Sequence, residues 1–128
     1  MAFAPGDRYR SGTCNIGPSE IAYRRRWGHV GLVVTLLVLG ALLWSGAPPI
    51  ARFLVALPAA GTAVSYLQAW LRFCAAYGAL GVFNFGRLRD THHVEDPAAR
   101  ARDRFKALQI VLAGALIGLV CGAVAVLL

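Results

Sequence analysis

A chain of 128 residues that is 58% hydrophobic and 15% charged, with a mean hydropathy of +0.59, departs from ordinary soluble domains, which run about 45–50% apolar and about 25% charged. That composition excludes a disordered chain, a collagen-like chain and an ordinary soluble enzyme domain. The net charge is +7, yet residues 30–51, 53–71 and 107–128 carry no charge at all, and an apolar stretch of roughly 18 or more residues is long enough to cross a bilayer.

Where the cations lie decides what the basic balance means. Twelve of the 13 fall before the first charge-free stretch or between the second and third; only Arg52 stands apart. Cations gathered on one side of a set of spans are the positive-inside pattern of a membrane protein. No aromatic-basic interleaving points to nucleic acid. The expected fold class is therefore an all-α integral membrane protein with three transmembrane helices. A juxtamembrane amphipathic helix precedes them, and a short cytoplasmic connection joins the second to the third.

In chain order, residues 1–17 read as a flexible cytoplasmic tail, because Pro5, Gly6, Gly12 and Gly17 interrupt any periodicity. The tail lacks the apolar run of a signal peptide, so the first span is expected to be an uncleaved anchor. Gly17-Pro18-Ser19-Glu20 starts a helix, with Pro in the first turn and a carboxylate at the positive end of the dipole. Arg24, Arg25 and Arg26 cover most of a helix circumference and suit lipid headgroups. The first span follows, from about Gly28 to Trp44, apolar all round. Ser45 to Pro49 is a short turn, so the second span, from Ile50 or Phe53 to Leu71, is its antiparallel neighbour. Arg52 is placed to snorkel outward, and Pro58 with Gly61 predicts a kink or a close helix contact. Residues 73–86 are too few to span; they lie in the interface or extend the second helix. Residues 18–86 thus form the juxtamembrane helix plus hairpin, and 87–106 a polar cytoplasmic connection. Asp96-Pro97 starts a charged helix that leads into the third span, 107–128.

Few residues carry candidate chemistry. Gly114, Gly118 and Gly122 repeat at spacing four, which stacks them on one face where another backbone approaches closely. The partner helix belongs to this chain, a second copy or another subunit. His92 and His93, beside Glu95 and Asp96, are weak metal candidates, since adjacent side chains diverge and nothing completes a ligand set. His29 is a weak candidate for a haem or pigment ligand; a plain hydrogen-bonding role competes. Cys14 and Cys74 are candidate thiols near the inner interface. For Cys74 a guanidinium, with Arg72 in view, would favour the thiolate, and burial against Phe73, Tyr77 and Trp70 the neutral thiol; burial is expected to win. Neither a catalytic constellation nor a phosphate loop is present in the sequence, and no cofactor is expected.

Asn15-Ile16-Gly17, Glu20-Ile21, the Arg24 to Arg26 cluster and Gly28 resemble the opening of the YgaP-type transmembrane domain family. Phe73-Cys74-Ala75-Ala76-Tyr77-Gly78 resembles that family's closing Phe-Cys-Pro-Leu-Tyr element with its following Gly. The likeness covers about 14–86. Ala75 stands where the family has Pro, and 87–128 lies outside the pattern. The resemblance implies a small bacterial inner-membrane hairpin with Cys74 at the inner interface, and it implies no activity. The sequence thus leads to a non-catalytic structural or accessory subunit of a larger membrane assembly in the bacterial inner membrane. Its partners would be lipids and other transmembrane helices, with the N-terminus cytoplasmic and the C-terminus extracytoplasmic. The alternatives are a thiol- or sulfur-handling membrane protein using Cys74 with Cys14, and a haem- or pigment-bearing subunit using His29.

Overall fold

The structure is a computed structural model that describes residues 9–128. The chain is mostly helical, and three of its helical segments are long and apolar enough to cross a membrane: Pro18–Trp44, Pro49–Leu71 and Pro97–Leu127. The first is α1 (Pro18–Trp44), one unbroken helix begun by Pro18, as the Gly-Pro start predicts. A turn over 45–48 leads to a 3₁₀ segment, Pro49–Val55, which continues directly into α2 (Ala56–Leu71). After α3 (Ala75–Leu80), strands β1 (Val82–Phe83) and β2 (His92–His93) pair antiparallel, Val82 with His93 and Phe83 with His92. The last element, α4 (Pro97–Leu127), runs as one helix from the polar connection through the third apolar stretch. Its Asp96 cap accepts from the Ala98 amide at 3.1 Å, so the expected Asp-Pro start is where the helix begins.

Helix α2 is the hub, packed against α1 on one side and α4 on the other. Small residues set both contacts. On α1, Gly28 lies against the Tyr66 ring and Gly31 against Thr62. On α4, Gly114 meets Val64, Gly118 meets Ala56 and Ala60, and Gly122 meets Ala56 and Phe53. The three spaced glycines thus face this chain's own second helix. With no side chain at these glycines, the backbones approach closely and gain dispersion contacts. Two small apolar cores close the ends. Phe73, Ala75, Ala107 and Ile110 form one, and Val55, Ala59 and Ala125 the other. The outer faces stay bare; α1 buries only Glu20 and Gly28.

Several expectations need correction. The tail expected over 1–17 is, from Tyr9 on, part of the fold: Cys14, Asn15 and Ile16 are buried, and Ile16 bridges to Asn84. Its first eight positions, with Pro5, Gly6 and Arg8, lie outside the described residues. Pro58 falls in the first turn of α2, where an α-helix leaves its N–H groups unpaired, so it need not break the ladder. The irregularity sits earlier, in the 3₁₀ segment, and Gly61 has open space before it rather than a close neighbour. Residues 73–86 do not extend α2. Arg72 adopts a left-handed conformation (φ 56°) and ends the helix. Arg52 Nη2 donates to the Val126 carbonyl at 3.1 Å and so ties α4's last turn to the 3₁₀ segment.

A Cβ at Gly118 would stand 2.6 Å from the Ala60 Cβ and 2.7 Å from the Ala56 carbonyl oxygen, and that backbone cannot yield cheaply. Gly118→Leu should therefore lower thermal stability in detergent by about 1–3 kcal/mol. Leu119→Ala, on a half-exposed neighbour, should change it little. Equal losses would show that the α2–α4 contact does not depend on the glycines.

Candidate functional site: a buried polar knot

The cation-rich end gathers segments far apart in sequence: residues 9–17, the start of α1, the α2–α3 junction, residues 84–89 and the start of α4. Peptide groups outside helices must find partners when buried, and side chains supply them here. Asn15 is fully buried. Its Oδ1 accepts from the Cys74 amide at 2.7 Å and its Nδ2 donates to the Cys74 carbonyl at 3.1 Å, a side-chain copy of a β-bridge. The Asn15 amide donates to the Arg72 carbonyl (3.1 Å), and its carbonyl accepts from the Asn84 amide (2.9 Å). Asn84, also fully buried, folds its own turn: Oδ1 accepts from the Gly86 amide at 2.9 Å and Nδ2 donates to the Arg87 carbonyl. Gly17 passes close enough to the Phe85 backbone that a Cβ would stand 2.9 Å from its Cα.

Charge enters through Glu20 and Arg24. Glu20 is buried at the first turn of α1; Oε2 pairs with Arg24 Nη1 at 2.9 Å and Oε1 accepts from the Arg89 amide at 3.1 Å. Of the three arginines expected at lipid headgroups, Arg25 and Arg26 are exposed but Arg24 turns inward. Its Nη2 lies 2.8 Å from Cys74 Sγ, and its guanidinium stands 5.3 Å from the Tyr77 ring centroid. The guanidinium beside Cys74 is thus Arg24, one helix away, and not its sequence neighbour Arg72, which is exposed. Burial, then the hydrogen bond and charge of Glu20, push the Tyr77 hydroxyl up to about 12. On α4, Asp103 is fully buried and accepts from the Tyr9 hydroxyl at 2.6 Å and the Gly12 amide at 2.7 Å. Burial and that carboxylate raise the Tyr9 hydroxyl too.

The expected site residues scatter around this knot. Cys74 is at its centre and only 2% exposed; Cys14 is buried one residue from Asn15. Cys121, on α4, is exposed. His92 and His93 are exposed on β2, and among the described residues no three His, Cys, Asp or Glu side chains come together as a metal would need. His29 Nδ1 lies 2.7 Å from the Tyr66 hydroxyl, so one ring nitrogen is engaged. Asn15, Asn84 and Asp103 were not expected as key residues. Two signals in the sequence point to them. Asn15-Ile16-Gly17 and Asn84-Phe85-Gly86 share an Asn-x-Gly pattern, and these two segments bridge. Asp103 lies in phase with Ala99, Ala107, Ile110 and Gly114, all on the buried stripe of α4.

A tyrosine whose folded-state pKa is raised holds its proton longer when folded than when unfolded. Its stabilising contribution is complete below the ordinary value of 10 and is lost as pH rises through about 12. Thermal stability in detergent should therefore fall across that window. Tyr77→Phe should shallow the fall without abolishing it, because Tyr9 is shifted the same way. An unchanged slope in Tyr77→Phe would show that Tyr77 is not held in this environment. Comparison of the chain with protein families, with curated proteins and with solved structures finds no match.

Proposed function

We propose that this chain is a non-catalytic structural or accessory subunit of a larger assembly in a bacterial inner membrane. The observation that carries the reading is an inversion of polarity. The charged and thiol groups of the knot, Glu20, Arg24, Cys74 and Asp103, are turned inward and bonded to the chain itself, and the exposed His92, His93 and Cys121 join no such cluster among the described residues. The outer faces of all three long helices offer bare apolar side chains such as Leu36, Leu57 and Leu116 to lipid or to other helices. The resemblance of residues 14–86 to the YgaP-type transmembrane domain supports a membrane hairpin and adds no activity. The gathering of cations at one end supports a cytoplasmic location for that end, with the turn over 45–48 and Leu128 on the other side. In a variant free of native cysteines, a cysteine at position 47 should label from outside spheroplasts and one at position 95 should not. The opposite pattern reverses the orientation.

One observation favours a second reading, sulfur or thiol chemistry: the 2.8 Å approach of Arg24 to Cys74. A cation beside a thiol is a feature of reactive cysteines, but so is access, and Cys74 is closed off. Purification in mild detergent after crosslinking separates the two. The subunit reading predicts a stoichiometric membrane partner and slow alkylation of Cys74. It also predicts that Cys74→Ser, which keeps an acceptor for Arg24, is more stable than Cys74→Ala, which strands a buried donor at about 1–3 kcal/mol. A lone monomer with a rapidly alkylated Cys74 would reverse the ranking.

A further inference from the structure

Because α1 and α4 flank α2, a groove runs along the uncovered face of α2 between them. Leu32, Thr35, Tyr66, Leu67 and Ile117 line it, and its volume is about 490 Å³, within the roughly 300–1,000 Å³ usual for ligand sites. It is apolar in effect: the Thr35 and Thr62 hydroxyls donate to their own helix carbonyls, Gly31 and Pro58, at 2.7 and 2.8 Å. At the cation-rich end Trp70, 79% exposed, borders the groove. Trp70 also borders two hollows there, one lined by Arg25 and Arg72 and the other by Arg10 and Arg72. Among the described residues, no acidic side chain lines either hollow. The ion pair found among the described residues, Glu20–Arg24, uses none of these three arginines.

We propose that this groove and its arginine mouth form a site for one anionic phospholipid, the acyl chains along α2 and the phosphate among Arg10, Arg25 and Arg72. The inference rests on reading the three long helices as membrane spans. Guanidinium forks match phosphate oxygens, and an interfacial indole marks the depth at which chains give way to headgroups. Charge complementarity selects this occupant. A second copy packed in parallel would bring its own arginines to the same mouth, where like charges repel. Arg72 adds a second indication. Its left-handed backbone is a conformation that glycine adopts without strain, yet a long cation stands there.

The test uses the full chain in phosphatidylcholine nanodiscs, with Trp70 as the only tryptophan (Trp27→Phe, Trp44→Phe). A minor fraction of phosphatidylglycerol or phosphatidylcholine with brominated acyl chains is the quencher. Brominated phosphatidylglycerol should quench Trp70 several-fold more per mole than brominated phosphatidylcholine. Arg25→Gln with Arg72→Gly should erase the difference, and Arg72→Gly also relieves the left-handed backbone, so this variant should fold. Arg26→Gln should leave the preference intact. Equal quenching in the protein with its arginines overturns the proposal, as does a preference that survives loss of Arg25 and Arg72. Abolition of the preference by inorganic phosphate would assign the mouth to a soluble anion, and shielding of Trp70 from both lipids would assign the groove to a second copy. Either result overturns the lipid site. A companion protein with Trp44 alone reports on the membrane reading. If neither lipid quenches Trp44, the spans and the lipid site fail together; if Trp44 is quenched and Trp70 shows no preference, only the lipid site fails.

Discussion

Between Leu71 and Pro97 the chain has only one short helix and a two-residue strand pair, yet much of that stretch is buried. Its peptide groups need partners that helices cannot give, and unpaired buried groups would cost about 1–3 kcal/mol each. Asn15 resolves this by presenting a carboxamide to both polar groups of Cys74 and its own backbone to Arg72 and Asn84. The rest of the cation-rich end follows from that clamp. With Asn15 fixed, Gly17 is drawn onto Asn84, α1 starts beside the 84–89 turn, and Glu20 can accept from the Arg89 amide. Asp103 then holds the Tyr9–Gly12 segment to α4, so the clamp joins all three long helices.

The long helices meet by a different physics. Contacts at Gly28, Gly31, Gly114, Gly118 and Gly122 bring backbones together where side chains would hold them apart. Each contact is with α2, which leaves α1 and α4 splayed around a groove instead of closing a bundle. The far end is held lightly, by the small core around Val55 and by Arg52 reaching the Val126 carbonyl. The molecule thus has a polar end knitted by side-chain hydrogen bonds and an apolar body whose outer faces are bare.

Local signals were readable in the sequence because they act over one or two helical turns. The three charge-free stretches mark the long helices, Pro18 and Asp96-Pro97 mark two helix starts, and spacing four puts three glycines on the face that meets α2. Residues whose roles depend on distant partners were not readable. Arg24 looks like one of three equivalent cations until Cys74, 50 positions away, and buried Glu20 turn it inward. Asn15 looks like a loop residue, and its partner Cys74 is 59 positions away. An apolar run over 73–86 reads as an interfacial or extended helix, but the chain breaks at Arg72, an arginine in a conformation that no propensity favours. Asp103 reads as one more charge in a charged lead-in; only its phase with the glycine stripe sets it apart.

Hydrogen exchange of the full chain in nanodiscs tests the clamp most directly. The amides of Asn15, Gly17, Cys74 and Asn84 should exchange as slowly as those in the middle of α2, and Asn15→Ala should release all four together. Exchange of Asn15 and Gly17 at the rate of a free tail, with α2 still protected, would contradict the account.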